Sequence, residues 1–128
     1  MPRGLLRQST QVLKSRNFNI DNGAGTTVDD AISVGSKPIN LQKAYIVYTT
    51  ETAGTVAAAN VTIGTTVGGT DIAAATAYAN SSTVGTTTAI TLVKTHIPAN
   101  TMIDVRHTGI AATALGEAYV VIEYTVDE

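Results

Sequence analysis

Two histidines, ten carboxylates and eight cations are the main ionisable groups in this 128-residue chain. A metal site needs His, Cys, Asp or Glu gathered at one point. Cysteine is absent, and His96 and His107 stand eleven positions apart with the turn sequence Ile97-Pro98-Ala99-Asn100 between them. They become cross-strand neighbours only if the strand ahead of that turn runs on to His96, and even then no third ligand is evident. For His107 the expectation is a partly buried histidine bonded to backbone. Asp104 and Arg106 share one strand face at a spacing of two, the pattern of a surface or inter-subunit ion pair worth little by itself. Asp29 and Asp30 are adjacent, so on a strand they point to opposite faces and do not form an acid–base pair. No glycine-rich phosphate loop, nucleophile elbow or dinucleotide fingerprint is present. The chain is expected not to be an enzyme and to take no metal or cofactor.

The elements that would position these residues are strands. The composition is 44% hydrophobic but only 5% aromatic and 14% charged, with 11 glycines and no Trp. The core must therefore be built from Val, Ile, Leu and Ala, and β-branched residues with frequent glycine breaks favour short strands and tight turns. One domain of this length buries roughly two thirds of the surface its unfolded form exposes. Without cysteine the fold needs no oxidising compartment. No window has the length of a membrane span, and Arg7 follows Leu5-Leu6 too soon for a signal peptide, so a soluble, uncleaved chain is expected.

About eight strands are expected, in the pattern of an antiparallel sandwich or barrel. They fall at 18–20, 27–34, 41–50, 59–67, 70–78, 86–93, 101–108 and 116–126. The 41–50 strand, apolar on both faces, is expected to be central. The two runs around Gly68-Gly69 form a hairpin, with Val61, Ile63, Thr65 and Val67 on one face. The alanines from Asp71 to Asn80 also permit a short helix capped by Thr70, but the Gly-Gly turn and Thr-rich flanks favour strand. Gly64, inside its strand, is expected to mark a bulge.

Residues 1–16 form a separate basic N-terminal arm, with 17–128 as the body. Arg3, Arg7, Lys14 and Arg16 are the only charged side chains in the arm, which carries about +4 and leaves about −6 to the body. Leu5, Leu6, Val12 and Leu13 have a spacing that one helix face could use, and a short helix is expected within Ser9 to Ser15. A solvated tail, a nucleic-acid contact and an arm that orders on a protein partner all compete here. The mixture of apolar anchors and charge favours the third, with Arg3, Leu5, Leu6, Arg7, Val12, Leu13, Lys14 and Arg16 as the contact residues. Four cations with no aromatic before Phe18 give no stacking platform for nucleic acid.

The run from Val61 through Gly68-Gly69 to Ala77 resembles small virion structural proteins of tailed bacteriophages, as do Ile97-Pro98-Ala99-Asn100-Thr101, Arg106-His107-Thr108-Gly109 and the ending from Ala118 to Thr125. Within that group it looks most like the head decoration, or capsid cement, proteins. The resemblance implies a β-sandwich or jelly-roll body, an oligomer on the outside of an icosahedral shell, and an arm reaching along the lattice. It also implies the major capsid protein as partner, a dimer or trimer, synthesis in the host cytoplasm and a place in the virion, with no nucleic acid or membrane. A receptor- or carbohydrate-binding module of a fibre and a head-to-tail or tail component are the rival readings. With few large side chains to bury, an isolated subunit is expected to gain much of its stability by association.

Overall fold

The computed structural model describes residues 9–54, 56–111 and 115–127, and among them there is no helix. The strands are β1 (Gln11–Lys14), β2 (Phe18–Asn19), β3 (Thr27–Ser33), β4 (Ile39–Tyr48), β5 (Asn60–Gly64), β6 (Ala73–Ala77), β7 (Thr87–Ile90), β8 (His96–Ile97), β9 (Met102–Thr108) and β10 (Glu117–Val126).

These ten elements occupy eight strand positions. β1 and β2 both lie antiparallel to β10, one beyond the other, and β7 and β8 lie in the same way along β4. One sheet then has the order β1-β10-β4-β7 and the other β3-β9-β5-β6. The pairing is nested: the first position pairs with the last, the second with the second-last, and so inward to the β5–β6 hairpin. An antiparallel ribbon folded over on itself in this way, with β10–β4 and β9–β5 closing the sheets, is a jelly roll. The expected all-β sandwich of about eight strands is what the chain forms, and β4 is central as its two apolar faces required.

The core between the sheets is aliphatic, centred on Ile20, Ile46, Ile63, Ile103, Val105 and Ile122, with Phe18, Tyr48 and Tyr78 as its aromatic members. A β-bulge in β4 helps fill it. Glu123 pairs with Lys43 but Tyr124 pairs with Leu41, so Gln42 is the extra residue. Strict alternation would put Leu41 on the outer face with Lys43; the bulge returns it to the core.

The segment from Gln11 to Lys14 is strand, not the expected helix. Two adjacent apolar residues fit either period, and the ladder to β10 decides the matter: Leu13 turns in against the core while Val12 is 55% exposed. Between β1 and β2 the ladder is interrupted at Ser15, whose side chain repairs it. Ser15 N donates to Val120 O at 2.9 Å, and Val120 N donates to Ser15 Oγ at 2.8 Å.

The hairpin forms as expected, and Ala73 to Ala77 is strand. Its register shift lies between Val61 and Ile63, so the irregularity falls beside Thr62 and not at Gly64. β5 ends at Gly64, and the connection from Thr65 to Ile72 folds back over the outer face of the second sheet. Val61 and Ile63 face the core opposite His107 and Val105 and are buried, whereas Val67, expected on the same face, lies in the loop and is 60% exposed. Asp71 ties the base of the loop, accepting from Thr65 N at 2.8 Å and Thr65 Oγ1 at 2.6 Å. Gly64 is needed for close approach: a Cβ there would overlap the backbone of Gly69. Gly64→Ala is expected to lift the loop and cost about 2 kcal/mol, as overpacking does elsewhere. A thermal melt matching the wild type would contradict this packing.

Candidate functional site

The predicted arm divides in two. Arg3, Leu5, Leu6 and Arg7 lie outside the described residues. Val12, Leu13 and Lys14 are in β1, and Arg16 follows directly. β1 is an edge strand of the first sheet, paired on one side with β10. Arg16 N donates to Asp30 Oδ2 at 2.7 Å, so the start of the body is also tied to β3 of the second sheet. Beside this edge opens a groove of about 200 Å³, lined by Leu13, Val34, Ile39, Tyr124 and Val126 among others.

The outer face of the first sheet is apolar at its centre. Val121 lies opposite Tyr45 and Tyr119 opposite Val47, and Val121 is only 5% exposed although it points away from the core. Cations cover the rings: Lys14 Nζ is 4.3 Å from the Tyr119 ring centroid and Lys43 Nζ is 5.4 Å from that of Tyr45. The Tyr45 hydroxyl donates to Glu123 Oε2 at 2.9 Å, which holds its phenol above the usual value.

On the second sheet a polar cluster lies under the Thr65–Ile72 loop. Arg106 does not pair with Asp104, as its spacing suggested. It forks onto Asp29, its cross-strand partner, with Nε 2.9 Å from Oδ1 and Nη2 3.0 Å from Oδ2. The guanidinium lowers the Asp29 pKa. Asp104 is fully buried even though alternation puts it on an outward face, because the loop covers it and Gly68 N donates to its Oδ2 at 2.9 Å. Gly68 has φ +72 and sits where a Cβ would meet the Arg106 guanidinium, so only glycine fits both demands. Burial raises the Asp104 pKa, and the neighbouring Asp29 carboxylate adds to the rise. Two carboxyl groups thus do come together, from β3 and β9 instead of from adjacent positions. Sequence spacing cannot show this, since the residues are joined only through sheet register.

The histidines sit on different sheets, β8 in the first and β9 in the second, which overturns the cross-strand neighbour reading. His96 is exposed, its Nδ1 3.1 Å from Asn40 Oδ1. His107 is fully buried, and besides the expected backbone bond, to Asn19, it has side-chain partners. Its ring stacks on Phe18 at 5.3 Å between centroids, Nδ1 lies 2.7 Å from Tyr78 Oη and Nε2 lies 3.2 Å from Asn22 Oδ1. Asn22 Oδ1 can only accept, so Nε2 donates to it and Nδ1 accepts from the Tyr78 hydroxyl. This neutral tautomer uses both ring nitrogens, and burial holds the imidazole pKa down to about 4. Burial likewise raises the Tyr78 phenol. His107 is a sealed core group with no nitrogen left for a substrate. Among the described residues no three His, Cys, Asp or Glu gather where they could hold a metal ion.

No family model matches the sequence. No curated protein matches it either. Among solved structures, a chain of the "Structure of infectious bursal disease virus Gx strain" aligns over 94% of this chain, with a TM-score of 0.48 and 14% identity. This chain spans 33% of that one.

Proposed function

We propose that the chain is a virion structural protein of the phage decoration, or cement, kind, which binds the outer head surface and bridges neighbouring capsomers. In this reading the jelly-roll body is the rigid unit, a dimer or trimer, and residues 1–8 with Arg3, Leu5, Leu6 and Arg7 contact the major capsid protein.

The observation that carries this reading is the way the arm is rooted. Residues ahead of Gln11 lead directly into β1, whose four ladder pairs join it to β10, one of the two longest strands. A pull transmitted through Gln11 is resisted by these pairs and by the Ser15–Val120 bonds. Arg16 and Asp30 brace the second sheet against the same strand. Such an anchor suits a segment that transmits force between a body and a lattice, and many weakly bound copies sum through multivalency. The charge pattern, about +2 in residues 1–8 from Arg3 and Arg7 against about −4 in the rest, favours an acidic surface as the arm's target.

The carbohydrate-binding reading gains less support, because Lys14 and Lys43 stand over the faces of Tyr119 and Tyr45 on which a sugar ring would stack. A map of the intact particle tests the proposal against a tail role. Density for this jelly roll is expected on the outer shell in contact with the major capsid protein; density confined to the neck or tail would overturn it.

A further inference from the structure

We propose that Asp104 is a proton-controlled latch: when protonated it shares its proton with Asp29 and holds the Thr65–Ile72 loop down on the second sheet, and when ionised it releases the loop.

One oxygen beneath the loop is unmatched. Asp104 is fully buried, its Oδ2 takes the Gly68 N–H, and its Oδ1 has no partner among the described residues. A buried carboxylate with one bare oxygen is costly, because desolvation is not repaid by hydrogen bonds. A proton on Oδ1 turns that oxygen into a donor. An acceptor stands close by: Asp29 pairs in register with Arg106 and Ala31 with Asp104, so Asp29 and Asp104 are diagonal neighbours on one face. Each Asp29 oxygen takes one bond from Arg106 and keeps a further lone pair. One proton between the two carboxyls therefore satisfies the site, with Arg106 balancing the remaining charge.

The charged groups facing this point are few. β3 contributes Asp29 and β9 contributes Arg106, while the loop carries Asp71, held by Thr65 and by Lys94 at 3.6 Å. β5 contributes Thr62, whose Oγ1 is also buried without a partner. Asp29 and Asp71 are both held below the usual carboxylate value by these partners and stay ionised when Asp104 titrates. Asp104 shifts the other way, so the sign is clear. Its latch is fully present below the ordinary carboxylate value and is lost as pH rises through its own raised value. Release would uncover Arg106 and the outer face of β5 and β9, giving the body a second state toward higher pH.

Two measurements on the whole chain test this. The first follows the Asp104 carboxyl carbon by NMR across pH in the wild type. The latch predicts titration above the ordinary carboxylate range, with Gly68 amide protection against hydrogen exchange falling from that range up to the Asp104 titration and levelling off above it, about tenfold in total for each pH unit that separates the latched and released pKa values. The second repeats the exchange measurement on Asp104→Asn, whose amide donates to Asp29 permanently while its oxygen still accepts from Gly68. Protection in that variant is expected at every pH. The proposal is overturned if Asp104 titrates at or below the ordinary range, as it would if a trapped water joined it to Thr62. It is also overturned if Gly68 protection ignores the titration, or if Asp104→Asn loses protection at all pH values.

Discussion

Removing residues 1–16 will unfold the body or nearly so, whereas removing residues 1–8 will leave its melting temperature unchanged. The longer deletion takes away four ladder pairs with β10, both bonds between Ser15 and Val120, the core contact of Leu13 and the link from Arg16 to Asp30. At about 1 kcal/mol net for each of roughly seven hydrogen bonds and about 1 kcal/mol for a half-buried leucine, the loss is on the order of 8 kcal/mol. That is comparable with the whole stability of a small domain, roughly 5–15 kcal/mol. The deletion also strips the edge of β10 and exposes it to intermolecular pairing, so aggregation should accompany unfolding. Circular dichroism melts of the two truncations decide the point. If the chain lacking residues 1–16 melted like the full protein, β1 would not be part of the folded body.

The second large effect is acid destabilisation through His107. Its folded pKa is held near 4 by burial, against about 6.5 when unfolded. Between those values the unfolded chain binds the extra proton, so stability is full above about pH 6.5 and falls as pH drops toward 4. The full loss is on the order of 3 kcal/mol, since each tenfold difference in proton affinity between the folded and unfolded chain is worth about 1.4 kcal/mol. Asp104 works in the opposite direction over the acid range, because its raised value favours the folded chain as pH falls. Denaturant titrations in the Asp104→Asn background remove that opposing contribution, and above about pH 5, where the lowered carboxyls of Asp29 and Asp71 do not yet titrate, they should show the His107 loss. The imidazole should also remain neutral by NMR down to about pH 4. A His107 that titrates near 6.5 would contradict the buried, doubly bonded ring.

Legibility of the chain follows the range of the interactions. β10 keeps one alternation over its ten residues and β4 keeps one from Lys43 to Tyr48, long enough for period two to be legible, and the Gly68-Gly69 turn announces the hairpin. β1 is not legible, because Val12-Leu13 fits a helix or a strand equally well and the partner that decides between them lies about a hundred residues away. Alternation misplaces Leu41 because of one bulge, since an extra residue inverts every face before it. The polar cluster is hidden for a related reason. Alternation correctly puts Asp104 and Arg106 on one outward face, but their partners, Gly68 and Asp29, are supplied by a loop and a strand that only the tertiary fold brings near. Asn22 belongs to a turn that the sequence does announce, yet its side chain also closes the His107 network from 85 residues away.

The proposed role of the arm rests on one separation, between the residues that fold the body and those proposed to bind a shell. Heads lacking this protein, mixed with either the full chain or the chain starting at residue 9, test it by co-sedimentation. The two proteins should melt alike, while the truncated one should bind at least about tenfold more weakly, a loss of about 1.4 kcal/mol or more. Full occupancy of the heads by the truncated chain at the same concentration would contradict the account.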